Sequence, residues 1–134
     1  MYFHTTKPGP WIEDFQTALV KAIVLAQENG TNEVAIAVHQ KGNLTGVIEE
    51  AIGEAAVKQL LKPAGYIDFE GVRLFVITDK IRSGFRHGVI VAAYASTKLM
   101  EKLTADYRTT DVVYVPWQPD ELTAYLQKYT SIPL

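Results

Sequence analysis

Apolar and polar positions alternate along the chain with two different periods. Residues 11–29, WIEDFQTALVKAIVLAQEN, place Ile12, Phe15, Leu19, Ile23 and Ala26 near helical spacing, which predicts a helix with one apolar face, ended by Gly30. EVAIAVHQ (33–40) is short, continuously apolar and rich in Val and Ile, the pattern of a strand buried on both faces. In KGNLTGVIEEAIGEAAVKQLLKPAG (41–65), Val47, Ile48, Ala51, Ile52, Ala55, Ala56 and Leu60 define one broad helical face. Pro63 to Gly65 stop that helix. VRLFVIT (72–78) and GVIVAAYA (88–95) read as two further buried strands, STKLMEKLTADY (96–107) as a helix and DVVYVP (111–116) as a fourth strand. PDELTAYLQKY (119–129) is a last helix with Leu122, Tyr125, Leu126 and Tyr129 on its inner stripe.

Apolar strands that alternate with amphipathic helices predict an α/β fold: a three-layer α/β/α sandwich, Rossmann-like, with four to five mostly parallel strands. The chain reads as a single domain over 1–134, with 1–10 a leader that KPGP (7–10) detaches from the first helix. YIDFEGVRLF suggests a hairpin about Glu70-Gly71 with a short strand at 66–70. The connection between 72–78 and 88–95 is shorter than the dozen or so residues a parallel crossover usually needs, so one antiparallel strand is an open alternative here and the sequence leaves their relative direction undecided.

Composition narrows the function classes. Hydrophobic residues make up 48% and charged residues 21% of 134, values ordinary for a soluble globular protein. A net charge of -2 argues against a dedicated nucleic-acid partner, which calls for a basic domain. The absence of cysteine excludes disulfides, thiolate metal sites and cysteine nucleophiles. MYFHTTKPGPW lacks the charged and apolar regions of a signal peptide, and no apolar run reaches the roughly 20 residues of a membrane span. A cytoplasmic protein with no membrane partner is expected.

Candidate chemistry gathers where strands end. Open α/β sheets bind ligands beyond the carboxyl ends of parallel strands. His39, Gln40, Lys41, Asn43 and Thr45 follow the first strand, Thr78, Asp79, Lys80 and Arg82 the second, Tyr94, Ser96, Thr97 and Lys98 the third, and Trp117 and Gln118 the fourth. Ser96 or Thr97 is placed to cap a helix whose first turn holds Lys98, a cation that opposes the helix dipole unless an anion sits there. The two other helix starts carry Glu49-Glu50 and Asp120-Glu121, which satisfy the dipole themselves and repel phosphate. DKIRSGFRHG (79–88) adds Arg82 and Arg86 as guanidinium donors, with titratable His87; its bland reading has Phe85 plugging the core and the cations solvating a connector. Asp79 and His87 are weak candidates for acid/base work in a hydrolase or transferase. His39 reads as a hydrogen-bonded structural residue. No metal site is expected, since no second carboxylate joins Asp79 and His4, His39 and His87 lack ligand spacing.

The stretch 17–53, TALVKAIVLAQENGTNEVAIAVHQKGNLTGVIEEAIG, combines an Ala-rich helix, A-x-E-N-G, a buried strand and a Gly/Thr turn into a helix. This pattern resembles the helix–strand–helix unit of the pyruvate kinase C-terminal domain and its stand-alone relatives. The resemblance covers about a third of the chain. It implies that Lys41–Gly46 corresponds to a turn that can bind effector phosphates in that family, although the family's Ser/Thr-rich turn is largely missing here.

The leading expectation is therefore binding of a small anionic, phosphate-bearing or nucleotide-like ligand at one sheet edge, by Ser96, Thr97 and Lys98 together with Arg82, Arg86 and His87. The alternative is a non-catalytic module that self-associates as a homo-oligomer or docks a partner protein through Trp11, Trp117 and Tyr129. Neither reading assigns a reaction or a cofactor.

Overall fold

A computed structural model describes residues 1–63, 65–78 and 83–134, with the Lys41 side chain outside that set. Seven strands form one sheet: β1 (Tyr2–His4), β2 (Glu33–Ala37), β3 (Ile67–Phe69), β4 (Val72–Ile77), β5 (Gly88–Ala93), β6 (Thr109–Val115) and β7 (Ser131–Pro133). Five α-helices are described: α1 (Ile12–Glu28), α2 (Val47–Ile52), α3 (Glu54–Leu60), α4 (Thr97–Ala105) and α5 (Pro119–Lys128). A 3-10 turn over Lys41–Leu44 precedes α2. Among the described residues no helix is long and apolar enough to cross a membrane.

The strand order is β3-β4-β2-β5-β6-β1-β7, parallel throughout except for β3, which pairs antiparallel with β4. The hairpin expected about Glu70-Gly71 is present. Both residues adopt positive φ (50° and 85°), which suits a tight turn between antiparallel strands, and the Gln27 side chain donates to the Glu70 carbonyl at 3.0 Å.

Strand alternation sorts the core onto the two faces of the sheet. Val34, Ile36, Val89, Val91 and Val113 pack with α1, α2 and α3, while Ala35, Ala37, Ile90, Ala92 and Tyr114 pack with α4 and Tyr125 of α5. Burial on both faces accounts for the continuously apolar strands.

Four expectations need correction. The sheet has seven strands rather than four to five, because the short β1 and β7 extend it beyond β6. The relative direction of 72–78 and 88–95, open from sequence, is parallel: each pairs in parallel with β2, which lies between them. The ten residues between Ile77 and Gly88 can span about 33 Å of chain, longer than a six-residue strand. The leader is not detached, because Tyr2, Phe3 and His4 pair with Val112, Val113 and Tyr114 of β6. The helix expected through 41–65 breaks at Gly53, whose φ of 98° and ψ of 154° no helix accommodates, so α2 and α3 are separate. On α5 only Tyr125 is fully buried, and Leu126 faces solvent.

Candidate functional site

Parallel pairing brings the carboxyl ends of β1, β2, β4, β5 and β6 to one edge. After β2 the chain turns towards β4, and after β5 towards β6 on the other side. The neighbours β2 and β5 therefore flank the point where connections diverge, where open α/β sheets leave a crevice. A cleft of about 430 Å³ opens there, lined by His39, Asn43 and Thr45 beyond β2, Tyr94 beyond β5, and Trp117 beyond β6.

Local hydrogen bonds hold the wall of this cleft. Asn43 Oδ1 accepts the Gln40 N–H at 2.9 Å while the Gln40 side chain accepts from the Asn43 backbone, a reciprocal cap on the 3-10 turn. Among the described residues the Asn43 amide nitrogen makes no hydrogen bond and can donate. Thr45 Oγ1 donates to the Gly42 carbonyl at 3.0 Å, which leaves its lone pairs to accept. The Trp117 ring meets Tyr94 edge-on at 5.2 Å and is 46% exposed, so an apolar face is open to a ligand.

His39 ties this wall to α4. Its Nε2 accepts the Ser96 N–H at 3.2 Å, which assigns the neutral ring's proton to Nδ1. Ser96 is the N-cap, and its Oγ accepts from Leu99 N–H at 3.2 Å. Two of the helix's orphan donors are thus satisfied, and among the described residues the N–H groups of Thr97 and Lys98 remain without an acceptor. Lys98 is exposed and makes no ion pair among the described residues, and α4 has no acid in its first turn. The first turns of α1, α2 and α5 hold Glu13 and Asp14, Glu49 and Glu50, and Asp120 and Glu121. Of these four helix starts, α4's is the one whose dipole is left for an external anion.

The basic loop lies elsewhere. Arg86 and His87 immediately precede β5, at the amino edge, so they lie across the sheet from Ser96, Thr97 and Lys98. The Arg86 N–H donates to Glu33 Oε1 at 2.8 Å, and its guanidinium Nε stands 3.6 Å from Oε2. Phe85 is buried against Phe75, and Arg108 donates to the Phe85 carbonyl at 3.3 Å while it pairs with Asp106. That is the connector arrangement. A single pocket built from Lys98, Arg86 and His87 does not form. Asp79 and Arg82 lie outside the described residues, as does the Lys41 side chain.

The three aromatics expected to share an interface are also split. Trp117 lies at the carboxyl edge, and Trp11, with its indole bonded to the Pro8 carbonyl, begins α1 there. Tyr129 stacks instead on Tyr2 and Tyr125 beside the amino end of β1.

Comparison with protein-family models, curated proteins and solved structures finds no match. What the site can do rests on its geometry. Asn43, His39 and the α4 amides are donors, Thr45 is an acceptor, and Trp117 offers a ring face. From sequence Tyr94 counts among the polar residues that follow the third strand, without a binding role of its own. Its signal was present nonetheless, as an aromatic residue that breaks the apolar alternation at a strand's carboxyl end.

Proposed function

We propose that this protein binds a small anionic, phosphate-bearing or nucleotide-like ligand at the carboxyl edge of a three-layer, Rossmann-like α/β/α fold. The supporting observation is the cleft at the divergence of β2 and β5, whose wall residue His39 is hydrogen-bonded to Ser96, the N-cap of α4. In this reading the ligand's anion meets the Thr97 and Lys98 N–H groups and the Lys98 ammonium. Its apolar or ring portion lies against Trp117, and Asn43 and Thr45 take polar groups at the cleft wall. Arg86 and His87 have no part in it.

A thermal-shift panel of inorganic phosphate, AMP, ATP, NAD and coenzyme A tests the proposal. Stabilisation by phosphate-bearing members is expected to disappear in the Lys98→Glu variant. A panel in which no anion raises the melting temperature contradicts it.

A further inference from the structure

Three buried side-chain oxygens among the described residues have no hydrogen-bond partner: Thr5 Oγ1, Asp14 Oδ2 and the Tyr94 phenol. All three belong to the carboxyl edge. Thr5 directly follows β1, Asp14 stands in the first turn of α1, and Tyr94 directly follows β5. Unpaired buried polar atoms are few in native folds, and each calls for a physical reason.

Tyr94 carries a second cost. Its φ of 58° lies in the left-handed region, which a β-carbon disfavours. The strained backbone redirects the side chain. Along β5, Val89, Val91 and Ala93 face α1–α3, while Ile90 and Ala92 face α4 and α5. Alternation would send Tyr94 to the second face. Its ring packs instead on the first, where it lines the cleft against Trp117. Burial, and then the charge of Asp14, push the phenol up to about 12, so it stays protonated at neutral pH and keeps a proton to donate. Strain of this kind persists where surrounding structure imposes it, and it concentrates at sites that bind or switch.

We propose that Tyr94 is the ligand-recruiting donor of the cleft: its phenol leaves the recess beside Asp14 and donates to the anionic group of the bound ligand. The inference rests on the cleft being an anion site. The resting phenol forfeits no hydrogen bond by moving, and on binding it gains a charge-assisted one. Trp117, in contact with the ring edge, is the natural reporter of that movement.

The Tyr94→Phe variant separates this role from packing, because it removes one oxygen and keeps the ring. Without ligand, loss of an unpaired buried hydroxyl is expected to raise the melting temperature by about 2–4 °C. Titrated with inorganic phosphate and with AMP, the same variant is expected to bind about tenfold more weakly than wild type. A melting temperature that is unchanged or lower shows that the phenol is satisfied at rest and overturns the proposal. Equal affinity in wild type and variant overturns the role of Tyr94 and leaves the cleft reading standing. Wild type that binds neither probe removes both.

Discussion

The imidazole of His39 accepts the backbone N–H of Ser96 at 3.2 Å, across 57 positions of sequence. This bond joins the carboxyl ends of β2 and β5 through their following segments, and it satisfies one of the four orphan amides at the start of α4. His39→Ala is expected to lower stability by about 1 kcal/mol. Amide exchange should accelerate at Ser96 while the far end of α4 is unaffected. His39→Gln, which restores an acceptor, should recover part of the loss. Equal exchange at Ser96 in wild type and His39→Ala would show that the bond does not form.

Lys98 opposes its own helix dipole. Lys98→Glu should therefore stabilise the ligand-free protein by a few tenths of a kcal/mol, measured by chemical denaturation, while it abolishes stabilisation by phosphate. A variant that loses stability, or that still responds to phosphate, contradicts the assigned role.

His4 is buried, and burial lowers its pKa below the ordinary 6.5. Its Nδ1 stands 2.7 Å from Ser131 Oγ, and Tyr125 OH bonds the same hydroxyl at 3.0 Å while donating to the Phe3 carbonyl at 3.1 Å. The folded state thus keeps the ring neutral while the unfolded chain takes up the proton more readily. Its contribution is complete above about 6.5 and is lost as pH falls from there towards the lowered folded value. Urea denaturation of wild type should show stability declining below about pH 6.5, with a shallower decline in His4→Gln. Identical pH profiles for the two proteins would remove His4 as the cause.

Glu33 is 7% exposed and binds the Arg86 amide. Glu33→Ala should cost about 1.5–3 kcal/mol, the range of hydrogen bonds to charged groups. Arg86→Ala should change stability little, because its side chain is 79% exposed. Neither change should alter the response to phosphate, since both residues lie at the amino edge. A weakened phosphate response in Arg86→Ala would place the ligand at the wrong end of the sheet for this account.

Much of the fold was legible because its strongest signals are local. The apolar stripe of α1 and the continuous runs of β2, β4, β5 and β6 announce themselves over neighbouring residues, as does the turn at Glu70-Gly71. What escaped depends on distant partners. β1 is three residues long and exists by pairing with Val112–Tyr114, and β7 by pairing with β1. The direction of β5 stayed open because loop length alone does not decide it; β2 inserts between β4 and β5. Arg86 and His87 stand opposite Lys98 because β5 itself runs between them, whichever way it points. The capping role of Ser96 was readable from helix-start chemistry. The positions of Tyr94 and Trp117 at strand ends were readable too, but not their meeting, which depends on a left-handed backbone and a ring contact that no spacing encodes.

The most direct test is an amide-resolved NMR titration with inorganic phosphate and AMP. The account predicts shifts confined to residues 39–46, 94–98 and 117, with residues 83–88 and Glu33 unmoved. Shifts centred on 83–88, or none at all, would contradict it.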